Sequence, residues 1–289
     1  MTSSQVKVNA STELYGIFGN PVRHSLSPLI HNTLFQQFKL NAVYLAFQVE
    51  KEQLSLAFEA VRSLGIRGVS VTIPHKESAT NFMDEIPEDL DRCVGAINTV
   101  VNKHGKLYGY NTDNPGFLSA LKDELGFDPE GKSVLVLGAG GAARGVVSAL
   151  AHAEADRIMI HNRTHERARG LKDYMSGYFP DTEIDSLDSL EAVRGEKIDL
   201  VVNTTSVGMG SADPSPLNLD LLAKPAVVYD LVYSSPRTCF LEQAKGLGWP
   251  FANGLGMLAA QAALSFELWT GRGEGVREAM LEILRKCHF

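Results

Sequence analysis

A chain of 289 residues with 44% apolar and 21% charged residues is long enough for two domains, each burying its own core. Its net charge of -7 argues against nucleic acid or an anionic membrane as the main partner, while local cations can still hold small anions. Three widely spaced cysteines, Cys93, Cys239 and Cys287, provide neither a disulfide framework nor zinc spacing, so no metal is expected.

The N-terminus lacks an apolar signal segment, and no apolar run is long enough to span a bilayer, which predicts a soluble, cytoplasmic protein. Short β-branched or aromatic runs alternate with helical patterns, as in a parallel α/β architecture. In chain order, Leu14–Phe18, Val43–Val49 and Val69–Ile73 read as strands, with helices over Pro28–Phe38 and Gln53–Leu64. Ala96–Asn102 and Lys106–Tyr110 flank His104-Gly105, a hairpin turn. Pro115 opens a helix that Gly126 ends. A second series follows: strand Ser133–Leu137, helix Ala142–His152, strand Arg157–His161, helix His165–Tyr178, then strands Ile198–Asn203 and Ala226–Leu231. Beyond Gly254-Leu255-Gly256 the pattern is helical, over Met257–Trp269 and Val276–Lys286.

Val134–Leu137 runs into Gly138-Ala139-Gly140-Gly141-Ala142-Ala143, a G-x-G-x-x-A turn opening a helix. In this strand–turn–helix setting the motif predicts a Rossmann domain that seats a dinucleotide pyrophosphate on the helix N-terminus. Gly138 permits the turn, Gly140 the close backbone approach, and Ala143 the helix–sheet packing. The next strand ends in Asn162-Arg163-Thr164, with Arg167 one turn on, and offers no acidic residue for a ribose hydroxyl. Arginines there suit a 2′-phosphate and hence NADP; as an ordinary solvated i, i+4 face they would bind nothing.

After the first strand comes His24-Ser25-Leu26-Ser27-Pro28-Leu29-Ile30-His31-Asn32. In extended backbone Ser25 and Ser27 face the same side and can grip a carboxylate or a diol, though Ser27 serves equally well as a helix N-cap. Lys76 follows a strand and Pro74, at the ligand-binding carboxyl edge of an α/β sheet. Taken singly, Lys76 is a surface lysine and Asp113 a helix cap.

The run H-S-x-S-P-x-x-H-N resembles the substrate signature of the shikimate dehydrogenase family. Val71-Thr72-Ile73-Pro74-His75-Lys76, Gly95-Ala96-Ile97-Asn98-Thr99, Asn111-Thr112-Asp113, Asn203–Met209, Tyr229–Tyr233 and Gly254–Leu258 with Gln261 are similar to further family segments in order and spacing. The resemblance covers nearly the whole chain. It implies reduction of 3-dehydroshikimate by NADPH, with Lys76 and Asp113 as the catalytic pair. It places Ser25, Ser27 and Tyr233 on the substrate carboxylate, and Thr72, Asn98, Asp113 and Gln261 on ring hydroxyls. Cofactor contacts are implied for Gly138, Gly140, Gly141, Ala142, Ala143, Asn162, Arg163, Thr164, Arg167, Thr204, Ser206, Leu231, Gly254 and Met257. Gln261 stands out independently as a lone amide in an apolar helix, where it needs a partner of some kind.

The implied architecture is a discontinuous substrate-binding domain, 1–113 plus 254–289, facing a Rossmann domain, 114–253, across a cleft. Alternatives are a quinate/shikimate dehydrogenase and a ligand sensor that has lost catalysis; the latter should lack Lys76 or Asp113, and both are present. Neither nucleic acid nor a membrane is an expected partner, and the protein is expected to be a monomer or homodimer.

Overall fold

Valine- and isoleucine-rich runs too short for helices bury both faces when they form parallel strands covered by helices. The computed structural model describes residues 8–88, 93–210, 212–223 and 227–288. By internal contacts the chain divides into Met1–Thr112 with Gln261–Cys287, and Asp113–Ala260.

Among the described residues, the first unit contains one sheet of β1 (Glu13–Gly19), β2 (Ala42–Gln48), β3 (Gly68–Val71), β4 (Thr99–Lys103) and β5 (Lys106–Tyr110). Its order is β2-β1-β3-β4-β5. The first three strands are parallel, and the β4–β5 hairpin returns antiparallel. Helices α1 (Ser27–Gln37) and α2 (Leu54–Ser63) link the parallel strands. Alternation along β1 sends Phe18 into a core with Phe58, Val69, Val71, Val100 and Leu107. Tyr15, of the other parity, meets the aromatic cluster of Phe35 and Trp269.

His31 lies inside that cluster, 1% exposed, stacked on Tyr44 at 4.5 Å and 16°. Burial lowers its pKa from 6.5 to about 3. The unfolded chain therefore binds a proton between pH 6.5 and about 3 that the folded chain does not, so this residue costs stability as pH falls through that window. His31→Phe keeps an aromatic ring and removes the titration. The difference in unfolding free energy between variant and wild type should grow in the variant's favour by about 1.4 kcal/mol per pH unit from pH 6 to 4. Urea unfolding across this range, with a pH-independent difference, would disprove the effect.

The second unit holds β6 (Ser133–Leu137), β7 (Arg157–His161), β8 (Glu183–Leu187), β9 (Leu200–Asn203), β10 (Val227–Asp230) and β11 (Phe251–Asn253). All its pairings are parallel, in the order β11-β10-β9-β6-β7-β8. This is the doubly wound Rossmann order, with its switch point between β6 and β9. Helices α3 (Asp113–Leu125), α4 (Gly141–His152), α5 (His165–Ser176) and α6 (Cys239–Gly246) lie between or beside these strands. Helix α7 (Leu255–Thr270) runs unbroken through the Ala260–Gln261 division, and α8 (Val276–His288) follows.

Several boundaries differ from expectation. Strand β3 stops at Val71, because Thr72–His75 form a turn, and β4 starts at Thr99 rather than Ala96. Strand β8, helix α6 and strand β11 carry no strong pattern and were not expected; Ala226 lies outside the described residues.

Candidate active site

In the first unit the parallel strands have the local order 2-1-3, so their switch point lies between β1 and β3, where open sheets bind ligands. The loops leaving these two strands are tied together: Asn20 N–H donates to Ile73 O at 3.0 Å, and Thr72 N–H to Phe18 O at 2.9 Å. Val71 N–H donates to Asn98 O and Ile97 N–H to Lys76 O, at 2.7 and 3.0 Å, which brings Thr72 and Lys76 beside Asn98. His75, fully buried, joins Val49 O through Nε2 at 2.7 Å and so anchors the turn before Lys76.

Asn98 is 3% exposed at the centre of an amide–hydroxyl cluster. Its Nδ2 donates to Thr112 Oγ1 at 2.9 Å and to Gln261 Oε1 at 3.3 Å, while its Oδ1 accepts Thr112 N–H at 2.8 Å. Ser265 Oγ meets Thr99 Oγ1 at 2.7 Å. Gln261 therefore meets the Asn98 side chain. Thr99, Thr112 and Ser265 were not singled out beforehand; the first two were signalled only by their place in the G-A-x-N-T and N-T-D segments, and Ser265 by nothing.

The two serines converge differently from the sequence expectation. Leu26 has helical dihedrals, so Ser25 and Ser27 lie on a turn and not in extended backbone. Ser27 is the first residue of α1, and the helix has no side-chain cap, so the N-cap alternative fails. Ser25 N–H donates to Val22 O at 3.0 Å, and Ser27 N–H to Ser25 Oγ at 3.3 Å, which holds both hydroxyls on one tight loop. Asp113 opens α3, half-buried, one residue after Thr112. Tyr233, also in the second unit, follows β10, and burial raises its pKa.

At the second unit's switch point Gly138 has φ +116°, and Thr204 Oγ1 donates to Leu137 O at 2.7 Å. A side chain on Gly138 would be strained and would collide with Thr204. At Gly140 and Gly141 an added Cβ would meet no protein atom within 4 Å, so the space above the α4 N-terminus is open to a ligand. With Ala143 fully buried, this turn fits a dinucleotide pyrophosphate. Ala142 and Ser206 are exposed, whereas Leu231 and Met257 are half-buried and Gly254 is buried. Gly254 passes so close to Leu231 O that no side chain fits there.

Arg163, Thr164 and Arg167 are exposed, and Asn162 Nδ2 donates to Thr164 O at 2.9 Å, shaping the turn. Arg169, on the same helix as Arg167, pairs with Asp188. Arg163 and Arg167 pair with no acid among the described residues, which leaves both cations for an anion. Deeper in, Asp230 is fully buried and accepts from Asn203 Nδ2 at 2.8 Å, Thr238 Oγ1 at 2.6 Å and Val232 N–H at 3.1 Å. Burial still raises its pKa. Asn203 Oδ1 in turn accepts Thr205 N–H, so this network, unmarked in the sequence, shapes the loops after both β9 and β10. Among the described residues no acidic, His and Cys cluster could hold a metal, and no helix is long and apolar enough to cross a membrane.

Residues 17–100 match the family described as shikimate dehydrogenase substrate binding domain, residues 120–209 match shikimate/quinate 5-dehydrogenase, and residues 254–285 match the shikimate 5′-dehydrogenase C-terminal domain. A shikimate dehydrogenase (NADP(+)) of Methanopyrus kandleri is 45% identical over 98% of this chain and 100% of its own. One from Caldanaerobacter subterraneus is 44% identical over 92% of this chain and 94% of its own. The crystal structure of shikimate 5-dehydrogenase from Thermus thermophilus in complex with NADP(H) and shikimate superposes with a TM-score of 0.85, at 37% identity, over 95% of this chain and 99% of that one.

Proposed function

Because the chain belongs to the shikimate dehydrogenase family, we propose that it catalyses the reversible, NADP-dependent interconversion of shikimate and 3-dehydroshikimate. The observation that carries this reading is the Asn98–Thr112–Gln261 cluster beside Lys76, a dense set of donors and acceptors suited to a polyhydroxylated ring. NADPH, when bound, supplies the hydride. Lys76 Nζ gives the proton to the nascent alkoxide, or takes it from the alcohol in reverse, and Asp113 holds a substrate hydroxyl. Ser25 and Ser27, with Tyr233, hold the carboxylate; Thr72, Asn98 and Gln261 hold the ring hydroxyls.

The unit built on β1–β5 is the substrate-binding domain, and the one built on β6–β11 binds the cofactor. Arg163, Thr164 and Arg167 would hold the 2′-phosphate, and the α4 N-terminus the pyrophosphate. Three cysteines with no disulfide among the described residues suit a reducing cytoplasm, with the protein as a monomer or homodimer. The decisive assay follows nicotinamide absorbance with shikimate and NADP, and with quinate or NAD substituted in turn. Robust turnover of shikimate with NADP is expected; a preference for quinate, or no turnover of either, would sink the assignment.

A further inference from the structure

Around Asn98 lie three hydroxyls from three separate segments. Thr99 opens β4, Thr112 follows β5, and Ser265 sits on α7 one turn after Gln261. All three residues are buried. Ser265 Oγ lies 2.7 Å from Thr99 Oγ1, 3.1 Å from Thr112 Oγ1 and 3.0 Å from Gln261 O. Thr99 Oγ1 and Thr112 Oγ1 each lie 3.1 Å from Asn98 Oδ1. A serine that only bonded the carbonyl one turn back would account for the Gln261 O contact, but not for two threonine hydroxyls within 3.1 Å.

Proton counting gives this cluster a direction. A backbone N–H can only donate, so the Asn98 atom that faces Thr112 N–H at 2.8 Å is the oxygen. The nitrogen therefore faces Gln261, whose atom at 3.3 Å must accept and is Oε1. One circuit uses the hydroxyl contacts in a single sense. Asn98 Nδ2 donates to Thr112, Thr112 to Ser265, Ser265 to Thr99, and Thr99 back to Asn98 Oδ1. Each O–H donates once and accepts once, and bonds polarised head to tail strengthen one another. The Asn98 oxygen then takes Thr112 N–H and Thr99 O–H, which fills both of its lone pairs.

We propose that Ser265 and Thr99 are positioning residues for substrate recognition. Their hydroxyl circuit occupies the Asn98 oxygen and holds the amide nitrogen on the Gln261 side, ready to donate to a ring hydroxyl. This rests on Asn98 as a ligand of the substrate ring. Both residues act through the Asn98 amide.

The test is a cycle of Ser265→Ala, Asn98→Ala and the double variant, assayed with shikimate at saturating NADP. Ser265→Ala should raise KM for shikimate about 3–10-fold, the range for one neutral hydrogen bond, with kcat changed far less. KM for NADP should not change. In the Asn98→Ala background the substitution should add nothing. Thr99→Val, which matches threonine in shape and lacks the hydroxyl, should raise KM in the same direction and covers the case of a poorly folded Ser265→Ala. Thr99→Ser keeps the hydroxyl and should stay near the wild-type KM, which separates the circuit from side-chain packing. A purely structural role lowers the melting temperature without moving KM, so an unchanged KM in both Ser265→Ala and Thr99→Val overturns the proposal. An equal effect of Ser265→Ala with and without the Asn98 amide overturns it as well. If Asn98→Ala itself leaves KM unchanged, Asn98 is no substrate ligand and the proposal falls with that reading.

Discussion

Lys76→Ala is expected to lower kcat by about 10²–10⁴-fold, the range for losing a proton-transfer group. The backbone at this position does not depend on the side chain. Lys76 O accepts from Ile97 N–H, and the preceding turn is fastened by His75 to Val49. Alanine should therefore fold normally, and thermal melting of the variant should match wild type. KM for shikimate should change much less than kcat, because Ser25, Ser27, Asn98 and Gln261 remain in place. Lys76→Arg separates two roles of the ammonium. Arginine keeps the charge but does not give up a proton in a protein, so it should stay nearly as slow as alanine if Lys76 transfers the proton. A near-normal kcat in Lys76→Ala with only a raised KM would make Lys76 a binding residue and refute its catalytic role.

Arg163→Ala should weaken NADPH while leaving NADH, which lacks the 2′-phosphate, almost untouched. A hydrogen bond to a charged group is worth about 1.5–3 kcal/mol, or roughly 10–150-fold in kcat/KM for NADPH. Arg163 is exposed, so screening by water and salt favours the lower part of that range. Its lack of an acidic partner among the described residues means that no internal ion pair is lost on substitution, which isolates the cofactor effect. Raising salt should shrink the NADPH preference of wild type and affect the variant much less. Equal losses with both cofactors would mean that Arg163 supports the fold or the adenine, and the phosphate assignment would fail.

What could be read from the sequence was local. Val134–Leu137 running into Gly138 and Gly140 announces a strand, a turn and an anion-binding helix start within one short stretch. The strands around it share the same apolar signature. The elements that escaped had little local signal: in β8, Glu183–Leu187, only Ile184 is fully buried, and β11 is three residues of intermediate exposure. Site geometry was harder to read for a different reason. Alternation put Ser25 and Ser27 on one side of an extended strand, but the helical dihedrals of Leu26 replaced that with a turn. Tyr44 O–H reaches Ser70 Oγ from 26 positions away in sequence, where no periodicity relates them. Asp230 and Asn203 likewise look like ordinary strand ends until the sheet brings them side by side.

That last pair sets a limit on redesign. One buried carboxylate fixes the start of two loops, holding Asn203 and Val232 directly and Thr205 through Asn203. The Asn162–Thr164 turn is built separately, from its own amide–carbonyl bond. Cofactor preference can therefore be edited at Arg163 and Arg167 as an independent module. The segments after β9 and β10 do not offer that freedom. A library that varies them must keep Asp230, Asn203 and Thr238 constant, or change all three together.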